Sequence, residues 1–203
     1  MDSKYFFDFD DSLFYTKKAI FDYVNTTYGL TLDINKWHCG NSMVEVINNH
    51  AQKTLVAHDT FWEDYAKNFL TSFEWHEEVT PMPGMVEVIR ELSRNNKLYI
   101  VTARQTASMP TIKFLVDKHI KDCITGIHYV NGKKNGVYTP VHKTAYVARH
   151  GGNKVAFIDD NPREIYAMQK IVPSYLFDPH QLHNDITDME KVFSWNEIGK
   201  KFL

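Results

Sequence analysis

The sequence predicts an α/β protein: a Rossmann-like parallel sheet flanked by helices, with an inserted α-helical segment. Three observations predict it. Beyond residue 80, short strands rich in β-branched and aromatic residues alternate with amphipathic helical stretches, the pattern of a parallel sheet covered on both faces. Polar clusters sit at three predicted strand ends, Asp8/Asp10, Thr102 and Asp159/Asp160, and open α/β sheets bind ligands at the carboxyl ends of their strands. Residues 14–78, between the first strand and the second, read as helices.

Taken in order, Tyr5-Phe-Phe-Asp-Phe9 is aromatic and apolar and reads as a short buried strand. Helices follow over about 16–28, closed by Gly29, then over 42–53 and 59–72, with no convincing strand among them. Thr80-Pro-Met-Pro-Gly84 punctuates the chain. Met85, Val88, Ile89 and Leu92 then fall at i, i+3, i+4 and i+7, one apolar helix face. Lys97–Val101 is a strand ending at Thr102-Ala-Arg-Gln, and a helix runs on to about His119. Residues 124–130 read as a strand, Asn131–Gly136 as an exposed turn, and Lys143–Arg149 as a helix. Lys154–Ile158 is a buried strand, followed by a helix to about Lys170, a strand over Ser174–Phe177, a polar connection and a terminal helix over 188–201.

Composition excludes several classes. Of 203 residues, 43% are hydrophobic, 24% charged and 14% aromatic, which fits a globular chain of one or two domains rather than a disordered or fibrous one. The 23 Lys+Arg and 25 Asp+Glu give −2 with the signs interspersed, so a nucleic-acid polymer is not an expected partner. Cys39 and Cys123 form neither a CxxC pair nor a zinc spacing, which suits a reducing compartment. No run of ~18 apolar residues exists to cross a membrane, and no leader pattern opens the chain, so the expected location is cytoplasmic.

The strand-end clusters suit phosphoryl chemistry. In a carboxylate pair such as Asp8/Asp10, one group can attack as a nucleophile while the other protonates the leaving oxygen and later activates water. A divalent cation must then neutralise the phosphate, and oxygen ligation suits Mg²⁺. Asp159 and Asp160 would complete its cage, Thr102 could donate to a phosphate oxygen, and Lys143 offers a positive charge. Taken singly, each has a plainer reading: a strand-end Asp is a turn former or cap, Pro162 makes Asp160 or Asn161 a helix cap, and Lys143 is a surface lysine.

Together the motifs resemble the haloacid dehalogenase phosphohydrolase superfamily. Asp8-Phe-Asp-Asp-Ser12 is similar to its first motif, Thr102 after Leu98-Tyr-Ile-Val101 to the second, Lys143 opening a helix to the third, and Phe157-Ile-Asp-Asp160 to the fourth. The resemblance implies Asp8 as nucleophile, passing through an aspartyl-phosphate, and Asp10 as general acid and base. It implies Mg²⁺ held by Asp8, the backbone carbonyl of Asp10 and Asp160, with Asp159 in support. Substrate binding would fall to Thr102, Ala103, Lys143 and Ser12, with Lys143 also restraining Asp8. One departure is Asp11, where many members carry Gly.

The resemblance divides the chain into an α/β core, 1–13 and 79–203, and a helical C1-type cap, 14–78, that closes over small substrates. Within the cap, Phe61, Tyr65 and Phe69 at i, i+4 and i+8 read as a packing stripe, while Trp37-His-Cys-Gly-Asn41 has no packing period and reads as a substrate loop. Pro81–Leu92, Val101–Arg104 and Ile158–Pro162 resemble deoxyribonucleotidase-like members, which implies a small phosphate ester such as a nucleoside monophosphate. Arg104 is then either a contact to phosphate or ribose or a surface salt bridge. Two other readings stand beside this one. Ile158-Asp-Asp-Asn-Pro162 also resembles aspartate-based phosphoprotein phosphatases, though those generally lack a large insertion. A non-catalytic binding module would be expected to have lost a nucleophile or metal ligand, and none is missing. His180, His183, Asp185 and Asp188 in the tail read as a solvated connection rather than a metal site.

Overall fold

The computed structural model describes residues 3–34, 43–134, 137–140 and 142–203, with the backbone alone described within 131–140. The Trp37–Asn41 loop and Cys39 lie outside the described residues.

The strands are β1 (Ser3–Phe7), β2 (Phe14–Tyr15), β3 (Thr80–Pro81), β4 (Asn96–Gln105), β5 (Gly126–Lys134), β6 (Val137–Pro140), β7 (Lys154–Asp159), β8 (Ser174–Phe177) and β9 (Glu190–Val192). The helices are α1 (Lys17–Tyr28), α2 (Met43–Ala51), α3 (His58–Asp64), α4 (Glu74–Glu77), α5 (Met85–Ser93), α6 (Met109–Ile120), α7 (Lys143–Arg149), α8 (Pro162–Met168) and α9 (Trp195–Phe202). One sheet has the order β6-β5-β4-β1-β7-β8-β9, parallel throughout except for the β5–β6 hairpin. This is the Rossmann-like α/β fold that the alternation predicts.

Because side chains alternate along a strand, β1 feeds two cores. Tyr5 and Phe7 join the cluster that includes Met85, Ile89, Leu92, Leu115 and Ile198. Phe6 points the other way, into the cluster with Val147, Phe157, Ile165 and Met168. Both faces of the strand are therefore dry, and an almost unbroken apolar run is what such a strand requires. A third cluster is drawn wholly from residues 21–70, with Phe21, Val24, Ile47, Phe61 and Phe69 among its members. Residues 14–78 thus carry a core of their own. The two connections into that segment run side by side, Phe14 opposite Pro81 and Tyr15 opposite Thr80.

Four expectations need correction. The stretch read as purely helical contains β2, whose two residues are too few to show a period. The helix expected over 59–72 is α3 followed by a π-turn, Tyr65–Phe69, closed by the Leu70 amide donating to the Tyr65 carbonyl at 3.0 Å. The turn expected over 131–136 is strand as far as Lys134, because β5 and β6 form a hairpin. The helix expected over 188–201 begins only at Trp195, after Ser194 accepts from the Glu197 amide as its N-cap, and Glu190–Val192 is an edge strand.

Candidate active site

β1 ends at Phe7, and the chain then folds back on itself: Leu13 and Phe14 amides donate to the Phe9 carbonyl, and the Asp11 amide to the Phe14 carbonyl. Phe9 is buried beneath this turn, stacking near Phe14 at 5.0 Å. The turn needs a left-handed residue at Asp11, φ +51°, a conformation that glycine adopts most easily. Aspartate tolerates it because its Oδ1 accepts from the Thr16 amide at 3.0 Å and the Lys17 amide at 2.9 Å, capping α1. From the far end of the chain, the indole of Trp195 donates to the Ser12 carbonyl at 2.9 Å. Ser12 itself is fully buried, and its hydroxyl has no partner among the described residues.

Carboxylate oxygens of Asp8, Asp159 and Asp160 lie within 4.8 Å of one another. Lys143, in the first turn of α7, spans two of them, 2.6 Å to Asp8 and 2.7 Å to Asp159. All three of those side chains are buried. Asp159 is fully engaged, since its other oxygen takes the Asn161 amide at 2.9 Å. Asn161, not Asp160, caps α8 by accepting from the Arg163 amide. That leaves the Asp160 carboxylate without a hydrogen-bond or ion-pair partner among the described residues. Burial pushes Asp8 up to about 7, the charges of Asp159 and Asp10 adding and Lys143 opposing. Burial, with Asp159, Asp11 and Asp8 nearby, pushes Asp160 well above the carboxylate range. Against burial, Asp159 and Asp8 hold Lys143 above the usual lysine value and so charged. Three buried acids share one ammonium, and a divalent cation would stabilise the ionised carboxylates that burial and mutual repulsion disfavour. The all-oxygen donor set suits Mg²⁺.

Thr102 is fully buried, its hydroxyl accepting from the Arg104 amide at 3.1 Å. Arg104 does not form the surface salt bridge that was one expectation, because its ion pair is buried. Its side chain is 4% exposed and holds Asp10, Nε donating to Oδ1 at 3.1 Å and Oδ2 at 3.0 Å, and Nη2 to Oδ1 at 2.8 Å. Thr16 Oγ1 donates to Asp10 Oδ1 at 2.7 Å. Burial raises Asp10, but Arg104 and Thr16 outweigh it and hold the carboxyl below its usual range. Sequence reasoning missed His76, fully buried with Nε2 2.8 Å from Arg104 Nη1; its setting, Glu-Trp-His-Glu-Glu, reads as surface. It also missed Thr16 and Trp195. The aromatic spacing was the one signal of this neighbourhood: Phe61, Tyr65 and Phe69 stack in a ladder, and Phe69 lies 4.9 Å from the His76 ring.

A model of the haloacid dehalogenase-like hydrolase family matches residues 5–172. Solved structures are similar over nearly the whole chain. A haloacid dehalogenase-like family hydrolase from Streptococcus pneumoniae has a TM-score of 0.67 at 16% identity, covering 100% of this chain and 99% of that one. A predicted phosphoglycolate phosphatase from Haemophilus somnus gives 0.69 at 16%, covering 100% and 98%. A protein from Bacillus subtilis, described as a HAD-hydrolase bound to magnesium, gives 0.64 at 13%, covering 99% and 98%. No curated protein matches the chain.

Proposed function

The chain belongs to the haloacid dehalogenase-like hydrolase family, and from that premise we infer that it is a Mg²⁺-dependent phosphatase of small phosphate monoesters. The observation that carries this reading is the convergence of Asp8, Asp159, Asp160 and Lys143 at the strand ends, with Asp10 held beside them. Asp8 attacks phosphorus, the P–O bond to the ester oxygen breaks, and that oxygen takes its proton from Asp10, whose pKa the negative charge of the bound phosphate raises from its low resting position. Asp10 then removes a proton from water, which attacks the phosphorus of the aspartyl-phosphate; the bond to Asp8 breaks and inorganic phosphate leaves. Lys143 orients Asp8 and offsets charge on the transferring group, while Thr102 and the Ala103 beside it face its oxygens. Ser12 acts through the loop it belongs to. Asp8, the Asp10 carbonyl and Asp160 would hold Mg²⁺, with Asp159 anchoring Lys143. Bound there, the cation supplies the charge that lets a phosphate dianion approach an anionic nucleophile.

The helical segment 14–78, with its own core and paired connections, reads as a C1-type cap, which favours a small ester over a phosphoprotein. Nucleoside monophosphates, from the motif resemblance, and phosphoglycolate, from the description of the Haemophilus somnus structure, both belong to that class. A panel of nucleoside monophosphates, phosphoglycolate and a phosphotyrosine peptide, with Mg²⁺, tests the reading. The small esters should release phosphate, and Asp8→Asn should abolish it. Preferential hydrolysis of the peptide, or turnover unchanged by Asp8→Asn or EDTA, would overturn it.

A further inference from the structure

We propose that Arg104 is the positioning residue for Asp10, and that His76, contributed from the helical segment, fixes the plane of its guanidinium. The proposal rests on the reading of Asp10 as the acid and base. Arg104 is aimed by the alternation of its strand: it continues the buried face of β4 that carries Leu98, Ile100 and Thr102, while Ala103 between them is exposed. Each of its three nitrogens has a partner, Nε and Nη2 on Asp10 and Nη1 on His76. Its side chain is only 4% exposed, so the guanidinium is committed to the interior rather than to solvent. Aromatic rings of Phe9 and Phe69 lie 5.0 and 5.9 Å from the guanidinium carbon.

The tautomer of His76 follows from its two partners. Nδ1 is 2.7 Å from the Ser72 carbonyl, which only accepts, so Nδ1 carries the proton. Nε2 then has a lone pair, and Arg104 Nη1 donates to it. A doubly protonated ring could not make both bonds. In Asp10, Oδ1 accepts from Nε, Nη2 and Thr16, whereas among the described residues Oδ2 accepts only from Nε. Oδ2 is therefore the oxygen that retains a lone pair for proton transfer, and the fork decides which way it faces. A lysine, with one ammonium, cannot hold both oxygens in a plane. The orientation of the acid is thus set jointly by the sheet, through Arg104, and by the insertion, through His76.

The test compares kcat/KM for an alkyl phosphate, glycerol 2-phosphate, with p-nitrophenyl phosphate, whose leaving group needs no proton. kcat/KM reports only steps up to loss of the leaving group, so it isolates the acid role. Asp10→Asn should lose about 100-fold or more on the alkyl ester and far less on the aryl ester. Arg104→Lys should show the same selective loss, and His76→Phe, which keeps a ring against Phe69 but removes the acceptor, about 10-fold on the alkyl ester. His76→Phe also carries the test should Arg104→Lys fail to fold. Selective loss in Asp10→Asn with equal losses on both esters in Arg104→Lys and His76→Phe would overturn the proposal. Equal losses in Asp10→Asn, or no turnover of either ester by the wild type, would overturn the acid–base reading, and the proposal with it.

Discussion

Acid should destabilise this protein through His76 by an amount its surroundings dictate. Burial, with the charge of Arg104 adding, lowers its pKa from 6.5 to about 4. Above pH 6.5 the ring is neutral folded or unfolded and the difference vanishes. Between 6.5 and 4 the unfolded chain takes up a proton that the native ring refuses, so stability falls with pH; below 4 the loss is complete. At 1.36 kcal/mol per pH unit the full loss is about 3 kcal/mol. Urea unfolding at pH 7.5 and pH 4.5, for the wild type and His76→Phe, isolates it, because Asp10, the carboxylate His76 acts on, is held below that interval in the wild type. The wild type should lose about 2 to 3 kcal/mol more than the variant across that interval. Equal losses would show that the ring accepts a proton in place, and with it that Nε2 is not the acceptor for Arg104.

Three further outcomes follow from the site. At Asp11, φ +51° costs a residue with a Cβ about 1–2 kcal/mol, and the two capping bonds return a similar amount; urea unfolding should find Asn and Gly near neutral, with Ala about 2 kcal/mol less stable. Trp195→Phe leaves the Ser12 carbonyl without the indole donor, which should cost about 1–3 kcal/mol and lower kcat more than it raises KM. Mg²⁺ at about 100 times its Kd should stabilise by about 2.7 kcal/mol, a rise of roughly 5–10 °C in Tm, reversed by EDTA and absent in Asp160→Asn; no shift in the wild type would remove the metal from the site.

The sheet was legible because its strands are buried on both faces and carry little else than apolar residues, as in Phe157-Ile158 and Tyr5–Phe7. The anionic cluster was legible because it sits at strand ends, where local sequence and tertiary position coincide. What could not be read depends on register rather than composition. Arg104 looks like an exposed arginine until its partners Asp10 and His76 are in place, and His76 lies in a run of acids, its own burial depending on Phe69 and Ser72. The π-turn at Tyr65–Phe69 adds a residue to a helix without altering its apolar spacing. β9, with Glu190 exposed and Val192 buried, gains its strand character only from β8 alongside.

The position of β1 in the sheet bears on how the protein is made. β1 leaves the ribosome well before its neighbours β4 and β7, and Trp195, which closes the loop after it, follows later still. Parallel pairing over such separations is slow, because the loop-closure entropy must be met before the contacts form. Throughout synthesis an aromatic strand with two open edges waits for partners, the kind of exposure that invites aggregation. Chaperone dependence during translation, rather than weakness of the finished fold, is the consequence to look for when this chain is expressed.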